Sequence, residues 1–167
     1  DREKGMLRSF GADPDRFPQG LSHTVRLLKD EFGVKHVGVW QAFQGYWNGI
    51  DPHGEVARRM NGDLTRTANG CLLPGRTDAQ AFDFWHEWDK GLERSGIDFV
   101  KVDSQSSTSV MTAGSESYGE ATIGRHEGLD SAVARHLNNA LINCMGMAPE
   151  DYWHRPISPI VRSSDDY

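Results

Sequence analysis

Residues 96–105 read GIDFVKVDSQ, from Gly96 to Gln105. Gly96 stops whatever helix precedes it, and Ile97, Phe99, Val100 and Val102 make an apolar run into which Lys101 and Asp103 are set two residues apart. Side chains of an extended strand alternate between faces, so Lys101 and Asp103 share one face while Val100 and Val102 share the other. Charges are rarely buried without a partner, and this pair therefore needs a reason to stand on an apolar strand. One reason is a structural ion pair at a strand end. The other is a carboxylate kept ionised by a neighbouring ammonium at the C-terminal end of a parallel strand, where α/β enzymes place their sites.

Upstream of this stretch, Phe82, Trp85, Trp88 and Leu92 recur at helical spacing, with Thr77 or Asp78 as the cap, so the tryptophans are expected in the core. Leu21, Val25, Leu28 and Phe32 predict another amphipathic helix closed by Gly33. Between them, residues 34–40 (VKHVGVW) alternate and read as a buried strand. Residues 41–78 are punctuated by Gly, Asn and Pro without a sustained period, as in a functional loop or a small inserted unit. Leu7 to Phe10 reads as the tail of a strand before a Gly, Asp and Pro loop.

Downstream, residues 104–128 are rich in Ser, Thr, Gly and Glu and are expected to form a loop, with the serines as linker chemistry. Leu129, Val133, Leu137 and Leu141 predict a helix, Leu141 to Met147 the start of a short strand, and Pro156 to Ser164 a strand ending in Asp165 and Asp166. Strand, helix, strand, helix, strand, with connections long enough for crossovers, is an α/β pattern with parallel strands.

Composition narrows the partner. Of 167 residues, 37% are hydrophobic and 18 are glycine, which suits a globular domain with a real core. A formal charge of -6 argues against affinity for nucleic-acid phosphates and points to a neutral or small ligand. No run approaches a membrane span. Two cysteines, Cys71 and Cys144, build neither a disulfide framework nor a four-cysteine zinc site. The seven histidines lack metal spacing such as HExxH, and phosphate-cradling GxxxxGK[ST], dinucleotide GxGxxG and nucleophile-elbow GxSxG motifs are missing. No cofactor or metal is expected, and no membrane or nucleic acid. No secretory signal is visible, which says little about export where the N-terminus can be missing, and the expected compartment is the cytoplasm. The chain opens at Asp1 without an initiator methionine and reads as an excerpt of something longer.

Two acidic strand ends, Asp103 and the Asp165/Asp166 pair, are the working parts of a glycosidase if parallel strands bring them to one mouth. Lys101 favours an ionised Asp103, and twin aspartates oppose each other's ionisation, so either Asp165 or Asp166 can hold a proton. A solvated chain end, with Arg162 pairing one of them, explains the twin aspartates equally simply. Residues 40–49 (WQAFQGYWNG) interleave Trp40, Phe43, Tyr46 and Trp47 with amides. Aromatic faces stack on sugar rings while amides bond hydroxyls, although aromatics packed under a loop give the same pattern.

The stretches VKHVGVWQAFQGYWNGIDP (34–52), GIDFVKVDSQ (96–105), LINCMGM (141–147) and PIVRSSDDY (159–167) resemble the raffinose synthase and seed imbibition protein branch of glycoside hydrolase family 36, which includes alkaline α-galactosidases. The resemblance implies that residues 1–167 are part of one glycosidase barrel domain, about the third to sixth strands of a (β/α)8 TIM barrel and incomplete at both ends. It further implies Asp103 as nucleophile, Asp165 as acid/base, and Trp40, Lys101, Trp47, Gln105, Cys144, Arg162 and Asp166 as substrate contacts. The implied substrate is a small α-galactoside oligosaccharide, with water or another sugar as acceptor. KVDSQ and SSDDY stand here where this branch usually has KVDVQ and ASDDF. A barrel cut at both ends exposes strand edges, so poor solubility or rescue by homo-oligomerisation is expected if these residues stand alone. The competing class is a degenerate barrel that holds sugar without cleaving it, and a small flavodoxin-like domain is a third reading.

Overall fold

A computed structural model describes residues 4–162. Among these residues, four strands form one parallel sheet, lying side by side in chain order. They are β1 (Gly38–Ala42), β4 (Phe99–Asp103), β5 (Leu141–Cys144) and β6 (Val161–Arg162). Parallel neighbours need a crossover, and helices supply it: α3 (Asp78–Arg94) lies between β1 and β4, and α5 (Tyr118–Leu137) between β4 and β5. This is the strand-helix alternation expected from the sequence.

The register fixes the two faces of the sheet. Gly38 pairs with Phe99, Trp40 with Lys101 and Ala42 with Asp103, while Lys101 pairs with Ile142 and Cys144 with Arg162. These residues therefore stand on one side, and Gln41, Val100, Val102, Leu141 and Asn143 stand on the other. The second set is fully buried against the helices, where Val25 of α1 (Leu21–Asp30), Phe84, Trp85 and Leu92 of α3, and Leu129, Val133 and Leu137 of α5 complete the core. The first set includes the half-exposed Trp40 and Ile142, so that face is the more open one. Gly38 is required at its base, because a β-carbon there would overlap the Phe99 ring.

Several boundaries differ from the sequence reading. The first strand covers residues 38–42 and not 34–40, since pairing with β4 begins only at Gly38. Residues 104–128 are not one loop, and a short helix α4 (Thr108–Met111) precedes α5. Ser117 caps α5 in a capping box with Glu120, and the helix runs from Tyr118 without a break. Its polar composition misled because α5 buries Thr122, Arg125, His126 and Asp130 as well as apolar residues. Leu141 begins β5 and is not part of that helix, and β6 occupies only Val161–Arg162 within the described part of the expected 156–164 strand.

The long excursion after β1 is a small inserted unit, with α2 (Glu55–Arg59) and an antiparallel hairpin of β2 (Leu64–Arg66) and β3 (Leu72–Pro74). Leu7, expected in the tail of a strand, makes a parallel bridge to Ile50 and ties the N-terminal segment to this unit. The tryptophans of α3 are where the stripe put them: Trp85 is fully buried, stacked on Trp88 with centroids 5.7 Å apart.

Candidate active site

Asp103 closes β4 and is only 4% exposed. Its carboxylate is held from several directions. The indole Nε1 of Trp40 donates to Oδ2 at 2.9 Å, and the backbone N–H of Ser104 donates to Oδ1 at 2.7 Å. The Cys144 thiol donates a third hydrogen bond, and Lys101 adds positive charge. Burial is the largest single influence and pushes the carboxyl up; the indole, the thiol, the Ser104 N–H and the Lys101 charge together outweigh it. Asp103 lies below the ordinary carboxylate value as a result. Lys101 does help keep it ionised, as the sequence predicted, but the neutral donors contribute more.

Local backbone geometry makes this grip. Ser104 adopts φ 60° and ψ 27°, a left-handed conformation that L residues seldom adopt, and so swings its N–H back onto the preceding carboxylate. Phe43 N–H donates to the Asp103 carbonyl at 2.9 Å, extending the β1–β4 pairing past the end of β1. Met145, just after β5, is also left-handed, with φ 51°. Its carbonyl accepts from Ser106 N–H at 2.8 Å, so the two strand-end turns brace each other.

Around the carboxylate stands an aromatic wall. Trp40 (37% exposed) and Trp47 (51% exposed) have centroids 5.1 Å apart, and Tyr46 meets Trp40 edge-on at 5.9 Å. Open indole faces beside an ionised carboxylate suit a ligand with apolar C–H faces and hydroxyls, as a sugar has. Phe43, read with them from the sequence, is instead packed in the core against His126.

The structure thus brings Trp40, Trp47, Lys101, Asp103, Cys144 and Arg162 to one end of one sheet face. Two of the expected substrate contacts are buried. Gln105 is fully buried and turned to the helix side, where its amide donates to Val102 O at 3.1 Å and Asn143 Oδ1 at 2.8 Å and accepts from Arg155 at 2.6 Å. Cys144 is also fully buried; burial and then its bond to Asp103 raise its thiol, while Arg162 bonds it from the next strand and opposes that rise. It supports the carboxylate from beneath. Asp165 and Asp166 lie outside the described residues. Among the described residues no cluster of three or more His, Cys, Asp or Glu side chains forms a metal site.

Sequence reasoning missed the Ser104 turn, since nothing marks a serine for left-handed backbone. It also missed a buried polar cluster behind the site, centred on Asp151 and His126, whose partners are too far apart in sequence to pair by inspection.

The family model described as raffinose synthase or seed imbibition protein Sip1 matches residues 7–70 and 63–167. The chain belongs to this family. Among curated proteins it is similar to the probable galactinol–sucrose galactosyltransferase 6 of Arabidopsis thaliana, 30% identical over 162 residues, covering 89% of this chain and 22% of that protein. It is also similar to the galactinol–sucrose galactosyltransferase of Pisum sativum, 32% identical over 166 residues, covering 86% of this chain and 20% of that one. The raffinose synthase family chain thus spans about a fifth of the length of these relatives. Among solved structures, the α-galactosidase from Lactobacillus brevis superposes with a TM-score of 0.64 at 14% identity, over 99% of this chain and 24% of that one. The fold is therefore that of part of a TIM barrel.

Proposed function

We propose that this chain forms about the third to sixth strands of a longer (β/α)8 barrel that acts on α-galactosides of the raffinose type by a retaining mechanism. Asp103 attacks the anomeric carbon, and the bond to the leaving oxygen breaks as Asp165 donates a proton to that oxygen. The resulting galactosyl ester on Asp103 is then opened by water, or by a hydroxyl of another sugar, with Asp165 taking the incoming proton. The hydrogen bonds that keep Asp103 ionised carry this reading, because a nucleophile must be charged before substrate arrives. The aromatic wall of Trp40 and Trp47 supports a sugar ligand, and the named activities of the relatives support galactosyl transfer to a sugar as much as hydrolysis.

The test is turnover of an aryl α-galactoside by the full-length polypeptide carrying this chain and by its Asp103→Asn variant. The expected result is measurable turnover that falls at least ~10³-fold in the variant. Equal turnover by both removes Asp103 as nucleophile, and binding of α-galactoside without turnover by either favours a non-catalytic sugar-binding barrel.

A further inference from the structure

Behind the site, Asp151 is fully buried in α6 (Pro149–Trp153), the short helix after β5. Its Oδ1 accepts from His126 Nε2 of α5 at 3.1 Å, and its Oδ2 accepts from Ser106 Oγ and from Tyr118 OH, each at 3.0 Å. Burial raises the Asp151 carboxyl, but bonds from His126, Tyr118 and Ser106 more than offset it and hold it below its ordinary value. Burial pushes His126 down, so a neutral ring with its proton on Nε2 fits the pair. His126 in turn stacks on Phe43, ring centroids 4.4 Å apart, and it is Phe43 N–H that bonds the Asp103 carbonyl.

Ser106 is the telling partner. It belongs to the 3-10 turn Gln105–Ser107, which begins at the left-handed Ser104, and its own N–H is tied to the Met145 carbonyl. Arg155 reinforces the same turn by donating to Gln105 Oε1 and Gly146 O, each at 2.6 Å. A charge-assisted hydrogen bond to a buried carboxylate is stronger than one between neutral groups, so the Ser106 link is a firm one.

We infer that Asp151 is a positioning residue for the Asp103 carboxylate: by anchoring Ser106 it fixes the strained turn whose Ser104 N–H orients the nucleophile. This rests on the proposed role of Asp103. Two substitutions separate positioning from plain stability, since each removes one hydroxyl from the same Asp151 oxygen: Ser106→Ala breaks the turn's own bond to Asp151, whereas Tyr118→Phe removes a hydroxyl of α5 that also bonds Ser106 and leaves the Ser106–Asp151 bond in place.

In the full-length polypeptide, Ser106→Ala should lower kcat for an aryl α-galactoside about five- to tenfold with KM within twofold. Ser106→Thr should restore it, and Tyr118→Phe should stay within twofold of the parent. Asp151→Asn, which keeps the shape but not the charge, should follow Ser106→Ala. NMR titration of the Asp103 carboxyl carbon gives a readout independent of turnover, with an upward shift expected in Ser106→Ala and none in Tyr118→Phe. Equal effects of Ser106→Ala and Tyr118→Phe on both readouts overturn the inference. A parent protein without turnover, but with the Asp103 titration shifted only in Ser106→Ala, overturns the galactosidase reading and leaves the positioning role standing.

Discussion

Trp40 and Asp103 are joined across the β1–β4 pair by an indole-to-carboxylate hydrogen bond of 2.9 Å, although Trp40 sits one layer lower in the register, opposite Lys101. The bond gives one side chain two tasks. Its N–H stabilises the charge on Asp103, and its ring face remains half open beside Trp47 for a ligand.

Replacing Trp40 by phenylalanine keeps an aromatic face and deletes the donor. Asp103 lies below its ordinary value partly through that donor, so its pKa rises in Trp40→Phe. The acid limb of kcat/KM for the full-length polypeptide should move to higher pH, and kcat/KM near neutrality should fall about tenfold, ~1.4 kcal/mol. A pH–rate profile checks this; an unmoved acid limb would mean that Trp40 serves only as a stacking surface.

Asp89 offers a different pH signature. It is fully buried on α3 and accepts one hydrogen bond, from Gln41 Nε2 at 3.0 Å, and burial raises its carboxyl to about 7. Its folded-state value lies above its unfolded one. The group's contribution is therefore fully present below about pH 4 and is lost as pH rises through about 7, because the unfolded chain releases the proton first. Asp89→Asn removes this dependence. Its stability advantage over the parent should grow between pH 4 and 7, by as much as ~4 kcal/mol for a shift of about three pH units. Thermal melts of both proteins across that range measure the gap, and a constant gap would contradict a protonated Asp89.

Gly128 tests the packing that carries the whole arrangement. A β-carbon there would lie 2.5 Å from Ala81 Cβ and 2.5 Å from Phe82 N, because α3 and α5 approach closely at that point. Helix propensity alone favours alanine by up to ~1 kcal/mol. Steric overlap with a helix backbone should nevertheless win, and Gly128→Ala should lose about 1–3 kcal/mol in denaturant unfolding. A stabilised variant would show that the two helices separate easily.

Much of this was legible in residues 96–105 alone, since alternation of Val100 and Val102 against Lys101 and Asp103 gives both the buried face and the open one. The stripe of α3 was equally plain. The start of α5 was not, because a helix that buries Arg125, His126 and Asp130 carries little periodic signal, although Ser117 and Glu120 at capping-box spacing did mark its first turn. The site divides in the same way. Asp103, Trp40 and Lys101 announce themselves by residue type and spacing. The left-handed Ser104 and the Asp151 anchor depend on contacts between segments about 45 residues apart in the chain, which no local pattern encodes. Gln105 follows Asp103 closely in sequence, yet the turn at Ser104 carries its amide to Val102 O and Asn143, on the helix side of the sheet.

In the proposed mechanism the Asp103 carboxylate forms a covalent bond to the sugar. An activated 2-deoxy-2-fluoro-α-galactoside slows breakdown of such an ester, so peptide mass mapping of the inactivated full-length polypeptide reads the claim directly. One added fluorosugar mass is expected on the peptide containing Asp103, and none in Asp103→Asn. A label on a different carboxylate, or full inactivation without any label on that peptide, would contradict it.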